Sequence, residues 1–220
     1  MRTRAPEPFA DRRSAGRQLA AVLEHLRGQD LVVLGVPRGG VPVAYEVAAA
    51  LQAPLDVVVV RKLGLPGQPE LAMGAVGEGG VVVLNEQVLA LGRIGPAELE
   101  RVRVREAAEV ERRAERLRGP GRREPLTGRT AVLVDDGIAT GATARAACQV
   151  VRALGAARLV VAVPVAPPSA VARLRAEADE VVCLVAPERF GAVGAFYRDF
   201  GPTSDEEVSR LVQAARAEQP

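Results

Sequence analysis

The chain is poor in the residues on which many enzyme sites depend. Its 220 residues include one histidine, two cysteines and no tryptophan, and aromatic residues make up only 3 %. His25 lies in a helical stretch far from any loop motif, which argues against a Ser-His-Asp triad or a multi-histidine metal site. Cys148 and Cys183 are isolated within apolar segments, which indicates buried free thiols rather than a disulfide or a metal site.

The sequence also lacks a strong charge of either sign and long hydrophobic runs. Its formal net charge is +2, which gives no reason to expect nucleic-acid binding. No apolar run reaches the length of a membrane span, and the first residues lack the apolar core of a secretory signal. The sequence therefore predicts a cytoplasmic protein with neither nucleic acid nor membrane as its partner.

Hydrophobic residues are plentiful, at 48 %, so a substantial core can form, and the length suits one domain with a small appended subdomain. The strand, loop, helix and strand between residues 130 and 163 form a βαβ unit, which fixes a parallel sheet and a right-handed crossover. The predicted fold class is therefore α/β, with three layers around a central, mainly parallel sheet. Apolar runs predict strands at 31–36, 55–60, 130–134, 159–163 and 181–185, and amphipathic stretches predict helices at 11–27, 41–51, 144–154, 168–178 and 205–217.

The middle of the chain departs from this alternation. Residues 63–71 are rich in glycine and proline and predict a loop, and short strands at 72–76 and 81–84 form a candidate hairpin. Residues 96–118 predict a long, highly charged helix with a narrow apolar stripe. We interpret residues 86–123 as a helical insertion.

The loop at 135–143 carries the clearest chemical signal. It leaves the carboxyl end of a predicted strand and enters a helix, and ligands bind at that edge of open α/β sheets. Unpaired N–H groups at a helix N-terminus favour a phosphate. Gly137 and Gly141 allow the backbone to approach a ligand closely, while Thr140 and Thr143 add hydroxyl groups without bulk. Residues 138–143 are thus a candidate phosphate cradle, and we call this run together with Gly137 the phosphate loop.

Asp135 and Asp136, which we call the acidic pair, stand immediately before the phosphate loop. Adjacent carboxylates would repel a phosphate in direct contact, but they suit sugar hydroxyl groups or a cation held through water. A diol at one end and a phosphate at the other describe a ribose 5-phosphate. The competing interpretation is an ordinary strand-to-helix turn, and the other common phosphate motifs, Gly-x4-Gly-Lys-Ser/Thr and Gly-x-Gly-x-x-Gly, are missing.

The run Val132-Leu133-Val134-Asp135-Asp136-Gly137-Ile138-Ala139-Thr140-Gly141-Ala142-Thr143 resembles the phosphoribosyl-pyrophosphate-binding signature of type I phosphoribosyltransferases. The likeness is closest to a bacterial group of predicted phosphoribosyltransferases. It implies Mg²⁺ as cofactor, the acidic pair on the 2- and 3-hydroxyl groups, and residues 139–143 of the phosphate loop on the 5-phosphate. The implied substrate-binding residues of this loop are Asp135, Asp136, Gly137, Ile138, Ala139, Thr140, Gly141, Ala142 and Thr143.

Residues 37–40, which we call the first loop, follow the first predicted strand. In the family this position grips the pyrophosphate, often with a basic residue followed by glycine and sometimes with a non-proline cis peptide. Arg38 can fork onto phosphate oxygens, and Gly39 and Gly40 expose backbone N–H groups. The run alone is equally typical of a plain strand-to-helix turn, and its place ahead of the acidic motif favours binding.

Arg61 and Lys62 are predicted to end the next strand, at the same edge of the sheet. In the family a basic residue near here contacts the pyrophosphate, which makes Lys62 a catalytic candidate beside Arg38, and Arg61 a binding candidate. Lys62 is also the only lysine of the chain. The following segment, 64–70, is either a mobile lid or an ordinary surface connection, and the sequence leaves both open.

The family places a variable hood over the accepting group. We interpret the chain as a single phosphoribosyltransferase-like domain over 1–220, with a core at about 31–185, the insertion at 86–123, and a hood made of the N-terminal segment and about 186–220. The aromatic residues of the hood either stack on a ring of the substrate or form the hood's own small core. The candidates are Phe190, Phe196 and Tyr197.

The resemblance implies an Mg²⁺-dependent pentosyltransferase. Such an enzyme moves the 5-phosphoribosyl group of phosphoribosyl pyrophosphate to a nitrogenous base or a related small-molecule nucleophile and releases pyrophosphate. An alternative is a non-catalytic regulator of the same fold that binds phosphoribosyl pyrophosphate or a nucleotide. A third is a hydrolase or phosphorylase acting on a ready-made ribosyl phosphate. The family habit and the long helix suggest a homodimer, while the nucleophile stays open.

Overall fold

The computed structural model describes residues 7–65, 68–92, 94–119 and 123–218, and for Pro69 and Glu70 the backbone alone. Its strands are β1 Leu31–Gly35, β2 Leu55–Val57, β3 Val60–Leu65, β4 Gln68–Gly77, β5 Val82–Leu84, β6 Thr130–Val134, β7 Arg158–Val165 and β8 Glu180–Val185. Its helices are α1 Arg12–Val22, α2 Gly40–Leu51, α3 Glu86–Gly92, α4 Pro96–Arg118, α5 Ala142–Ala153, α6 Pro168–Leu174 and α7 Asp205–Ala217.

Five of the strands form a parallel sheet in the order β2-β1-β6-β7-β8. β1 and β6 pair over their full length, from Leu31 opposite Thr130 to Gly35 opposite Val134. The predicted α/β class, with a central parallel sheet and a βαβ unit from β6 to β7, is confirmed. The strand predicted at 55–60 is shorter than expected, since β2 ends at Val57.

Helices cover both faces of this sheet, which accounts for the continuous apolar runs in its strands. Successive side chains of a strand point to opposite faces. In β1, Val32 and Leu34 pack in one buried cluster with α5 and α6. Leu31 and Val33 pack in another cluster with α1 and α2. The result is the predicted three-layer arrangement.

A second sheet of three antiparallel strands, β3-β4-β5, stands beside the first. The pairing of β4 with β5 confirms the predicted hairpin, but the prediction of a loop at 63–71 is wrong because β3 and β4 pair there. The ladder shifts register on both sides of Gly64, and such bulges commonly carry glycine. The glycine and proline content of residues 63–71 therefore suggested a loop where the chain forms two strands. Within the predicted lid, Pro66 and Gly67 lie outside the described residues.

The predicted helical insertion consists of α3 and α4, which pack on the second sheet and on α7. A buried ionic cluster, which we call the clasp, ties the end of α4 to both sheets. Arg118 lies 2.8 Å from Asp56 Oδ1 in β2 and 2.8 Å from Glu78 Oε2, which follows β4. All three side chains are buried. The burial raises the pKa of Glu78, although the Arg118 guanidinium opposes that shift.

Aromatic side chains from both ends of the chain meet above the carboxyl edge of the parallel sheet. We call them the aromatic cluster, and they are Phe9, Phe190, Phe196, Tyr197 and Phe200. The backbones of Phe9 and Tyr197 form an isolated parallel β-bridge, which joins the N-terminal segment to this region. α7 was included in the predicted hood, but it packs instead against α2 and α4 in a separate cluster.

Cys148 is buried and Cys183 partly buried, and both are free thiols, as expected. Within the described ranges no helix has both the length and the apolar character needed to cross a bilayer.

Candidate active site

The predicted ligand loops lie where the order of the parallel strands reverses. β1 and β6 are neighbours, but the chain goes from β1 towards β2 on one side and from β6 towards β7 on the other. The helices that follow, α2 and α5, pack on opposite faces of the sheet. The loops between strand and helix therefore diverge and leave a crevice, the usual ligand position in an open α/β sheet.

The acidic pair follows β6 directly, and the phosphate loop continues from it into the first turn of α5. Ile138 anchors it, because its side chain is buried and its N–H donates to the carbonyl of Val165 at 2.9 Å. Gly141 has a left-handed backbone with φ of 80°. Such a conformation strains most other residues, and here it turns the chain into the helix.

Donor groups of the phosphate loop face a depression of about 170 Å³ that residues 135 and 137–144 line. The N–H groups of Ala139, Thr140, Gly141 and Thr143 have no acceptor within the described part of the chain. Together with the helix N-terminus they form a concentration of positive potential. The arrangement is compatible with an anion at this position, and the phosphate-binding role of the loop stays a prediction.

The acidic pair is held in a fixed arrangement beside the cradle. The N–H of Asp136 donates to Asp135 Oδ1 at 2.9 Å, and Arg12 Nε donates to Asp136 Oδ2 at 2.7 Å. Burial and the adjacent charge of Asp136 raise the pKa of Asp135 well above its ordinary value. Burial also raises the pKa of Asp136, and the Arg12 guanidinium opposes that rise. The pair is thus partly buried and gains from hydrogen-bond donors or cations.

The first loop touches the acidic pair, and its glycines make that contact possible. A β-carbon at Gly39 would lie 2.0 Å from Asp136 Oδ2, and one at Gly40 would lie 2.7 Å from the carbonyl oxygen of Val134. The peptide bond between Pro37 and Arg38 is cis, a form that the family resemblance included. The two loops predicted to grip one ligand are therefore in contact.

Arg38 extends from the first loop into a half-exposed position, with 52 % of its side chain accessible. Its Nη1 lies 3.9 Å from Asp205 Oδ1 at the start of α7. At this length the ion pair is loose, and loose exposed pairs contribute little to stability. The guanidinium is therefore not committed to a strong ion pair.

Arg61 and Lys62 are not where the sequence placed them. They do not end a strand of the parallel sheet but lie inside β3, in the antiparallel sheet. Arg61 Nε is 2.6 Å from Glu106 Oε2 of α4. Lys62 lines a groove of about 380 Å³ between the second sheet and α5, and Ala142 lines both this groove and the depression at the cradle. Lys62 thus approaches the phosphate loop from the side, while Arg61 turns towards the insertion.

The aromatic cluster is packed against itself. The rings of Phe190 and Phe196 stack at 5.5 Å, and Tyr197 is 6 % exposed with Phe9 at 5.4 Å. The Tyr197 hydroxyl donates to the backbone carbonyl of Asp136. The interpretation of these rings as a small core fits the structure better than a ready stacking platform.

Sequence reasoning missed two arginines of the site. Arg12 binds the acidic pair, as described, and Arg173 of α6 donates from Nη2 to the carbonyl oxygen of Thr140 at 3.1 Å. Arg12 is 124 residues from its partner and Arg173 is 33 from its own, and neither belongs to a motif. No local pattern could have identified them.

Known proteins share both the sequence and the fold of this chain. A family model, the phosphoribosyl transferase domain, matches residues 12–200. A protein of Mycobacterium tuberculosis, named "Putative phosphoribosyl transferase" in two strains, is 59 % identical over 207 residues. The match covers 94 % of this chain and 47 % of that protein, so the chain spans about half the length of the curated relatives it matches.

Solved structures share the fold of this chain. TT1426 from Thermus thermophilus is 51 % identical, with a TM-score of 0.87, and the match covers 94 % of this chain and 98 % of that one. The AQ2163 protein from Aquifex aeolicus has a TM-score of 0.50 at 12 % identity, covering 83 % and 78 % of the two chains, and shows the fold alone. With the family model matching most of its length and its acidic pair, phosphate loop and first loop gathered in one crevice, the chain belongs to the phosphoribosyl transferase domain family.

Proposed function

We propose that the protein transfers the 5-phosphoribosyl group of phosphoribosyl pyrophosphate to a nitrogen nucleophile and releases pyrophosphate. The observation that carries this proposal is the contact between the first loop and the acidic pair, with the cradle adjoining both. Gly39 has no room for a β-carbon beside Asp136 Oδ2, so a group held by the first loop and a diol held by the acidic pair belong to one ligand. Phosphoribosyl pyrophosphate has its diol, its 5-phosphate and its pyrophosphate in that arrangement.

Each part of the site then has a role in binding or charge stabilisation. The acidic pair accepts hydrogen bonds from the ribose hydroxyl groups, and the N–H groups of the phosphate loop bind the 5-phosphate. As pyrophosphate leaves, the sugar becomes oxocarbenium-like and negative charge grows on the departing oxygens. Arg38 is the first candidate to stabilise that charge, and Lys62 the second. The distance from either carboxylate to the nucleophile is not fixed, so the acidic pair is given no role as general base.

Mg²⁺ fits this site as a cofactor shared with the substrate. The described residues contain no group of three or more histidine, cysteine, aspartate or glutamate side chains that could hold a metal ion alone. Mg²⁺ is commonly bound through one or two carboxylates, water and substrate phosphates. Burial beside Asp136, which raises the pKa of Asp135, supports the proposal that a nearby cation would stabilise this carboxylate. When bound, Mg²⁺ supplies positive charge to the departing pyrophosphate. Its position would be on substrate oxygens and water near the acidic pair.

The self-packed aromatic cluster favours a second candidate, a regulator of the same fold that binds phosphoribosyl pyrophosphate without turnover. With Phe190 stacked on Phe196, an accepting base finds no preformed ring platform there. A transferase would need the cluster to rearrange or would use a nucleophile that does not stack. We also propose a homodimer, which sedimentation equilibrium tests directly.

Pyrophosphate release separates these functions. The protein is incubated with phosphoribosyl pyrophosphate, Mg²⁺ and a panel of nucleobases and amines, and released pyrophosphate is measured with Arg38→Ala and the exposed Arg17→Ala as the matched pair. A transferase releases pyrophosphate only with one class of nucleophile, and loses that activity in Arg38→Ala but not in Arg17→Ala. Binding without release by any nucleophile indicates the regulator. Cleavage of a ribosyl phosphate that survives Arg38→Ala would contradict the transferase and support the hydrolase or phosphorylase.

A further inference from the structure

Arg12 occupies a junction that the family motifs do not include. It is the first residue of α1, and its guanidinium makes three contacts with two separate segments of the chain. Nε donates to Asp136 Oδ2 at 2.7 Å, Nη1 donates to the carbonyl oxygen of Gly201 at 2.7 Å, and the guanidinium carbon lies 3.9 Å from the centre of the Phe200 ring. Arginine suits such a place because its planar fork can donate in two directions while its face stacks.

The ion pair between Arg12 and Asp136 is largely shielded from water. The Arg12 side chain is 13 % exposed and that of Asp136 is 14 %, so water screens their attraction much less than at an open surface. The same carboxylate oxygen of Asp136 is the atom that a β-carbon on Gly39 would strike. Arg12 therefore fixes an oxygen that also borders the first loop.

The charge of Arg12 bears on ligand binding directly. The acidic pair carries two adjacent carboxylates beside a cradle for a phosphate. Arg12 offsets one of these charges, which reduces the repulsion that an anionic ligand would meet. Asp135 of the same loop and Tyr197 of the aromatic cluster are the other titratable groups in contact with Asp136.

A second link joins Asp136 to the aromatic cluster. The Tyr197 hydroxyl donates to the Asp136 carbonyl, and the Tyr197 ring lies 5.0 Å from that of Phe200. Asp136 is thus connected to residues 197–201 through its side chain by Arg12 and through its backbone by Tyr197. These two links couple the order of Asp136 to the order of the aromatic cluster.

We propose that Arg12 is a positioning residue that orients and neutralises Asp136 and couples ligand binding at the acidic pair to the order of residues 193–201. The coupling rests on the proposed function, because its ligand is phosphoribosyl pyrophosphate. Arg12 acts through Asp136 and has no assigned contact with the reacting atoms. Through Arg12, residues 193–201 become more ordered when a ligand binds at the acidic pair.

The experiment compares Arg12→Gln with Arg13→Gln. Arg13 is the next residue and makes the same kinds of contact, an ion pair with Glu46 at 3.3 Å and a cation–π contact with Tyr45 at 5.2 Å, but both lie on α2 rather than at the acidic pair. Calorimetry with phosphoribosyl pyrophosphate and Mg²⁺ gives affinity, and hydrogen exchange with and without ligand gives the protection of residues 135–143 and 193–201.

In the parent and in Arg13→Gln, ligand slows exchange in both segments. In Arg12→Gln, affinity falls by at least about tenfold, and the ligand that still binds protects 135–143 while leaving 193–201 unchanged. A protein in which Arg12 is merely structural would show faster exchange of 193–201 without ligand but normal ligand-dependent protection. Equal affinity and equal protection in Arg12→Gln and Arg13→Gln would overturn the proposal.

Two further variants cover the chance that Arg12→Gln does not fold. Phe200→Leu removes the stacked ring and leaves the ion pair, so ligand affinity should stay within about threefold while ligand-dependent protection of 193–201 weakens. Arg12→Lys keeps the charge without the fork, so affinity should recover in part and protection should not. If the parent itself binds no phosphoribosyl pyrophosphate, the proposed function fails. Faster exchange of 193–201 in unliganded Arg12→Gln would then still show that Arg12 orders that segment.

Discussion

At the scale of single residues, the site depends on a close approach that only glycine permits. Gly39 brings the first loop against Asp136, with no room for a β-carbon between them. Spacing along the chain cannot reveal this, because the two residues belong to different motifs. The sequence could nominate Gly39 as a donor of an N–H group, and the structure adds that its missing side chain is what the site requires.

The Gly39→Ala variant tests this interpretation. The new β-carbon would lie 2.0 Å from Asp136 Oδ2, so the first loop or the carboxylate must move. A lost hydrogen bond to a charged group is worth about 1.5–3 kcal/mol, so affinity for phosphoribosyl pyrophosphate should fall at least about tenfold in calorimetry. Gly95→Ala is the control, since a β-carbon there would meet no heavy atom within 4 Å. Unchanged affinity in Gly39→Ala would show that the two loops do not act on one ligand.

At the scale of elements, β3 illustrates how context outweighs composition. Glycine and proline between residues 63 and 71 suggested a loop, yet a ladder with register shifts accommodates Gly64. The error also misplaced Arg61 and Lys62, since a strand thought to end at the sheet edge proved to be two strands in two sheets. Apolar strands buried on both faces, such as β6 and β7, were predictable because their pattern has no competing interpretation.

The opposite directions of Arg61 and Lys62 give a prediction about β3. Lys62→Met should lower affinity for inorganic pyrophosphate, measured with Mg²⁺, by about three- to tenfold, because a cation near the phosphate loop is lost. Arg61→Met should leave that affinity unchanged, since Arg61 is paired with Glu106. Equal losses in both variants would indicate that β3 contributes only a general positive potential.

The clasp gives a prediction about how the insertion is held. Arg118→Met leaves Glu78 as a buried carboxylate without its cation and leaves Asp56 only the more distant guanidinium of Arg216, at 3.9 Å. Breaking a buried ion pair in this way costs about 3–5 kcal/mol of the free energy of unfolding. Arg116→Met is the matched control, because its side chain is 61 % exposed and its ion pair with Asp205 is 3.4 Å long. Urea unfolding monitored by circular dichroism measures the stability of both variants.

The pH dependence of Arg118→Met has a definite sign. Burial already raises the pKa of Glu78, and Arg118 is the main group that opposes the rise. Without Arg118 the folded-state pKa moves further above the unfolded value, so this group's favourable contribution is present at low pH and is lost as the pH rises through the folded pKa. The difference in stability from the parent should therefore shrink on acidification towards about pH 5. A difference that is constant or grows would contradict the clasp.

At the scale of the whole molecule, the sequence predicts the fold and the position of the ligand loops but not the contacts between distant segments. The α/β class, the βαβ unit and the two ligand loops at one sheet edge could be predicted, because hydrophobic periodicity and strand-to-helix turns are local signals. The contacts that join distant segments could not. Arg12 and Tyr197 reach Asp136 across 124 and 61 residues, and only the packing of both chain ends over the sheet brings them together.

Calorimetric titration of phosphoribosyl pyrophosphate with Mg²⁺ tests whether the protein binds this ligand at the acidic pair. The parent is compared with Asp135→Asn/Asp136→Asn and with Glu206→Gln/Glu207→Gln, which also removes two adjacent charges but lies in the first turn of α7. The account predicts binding by the parent and by the α7 variant, and a loss of at least about a hundredfold in the acidic-pair variant, since two hydrogen bonds to charged groups are removed. No binding by the folded parent, or equal binding by all three proteins, would contradict it.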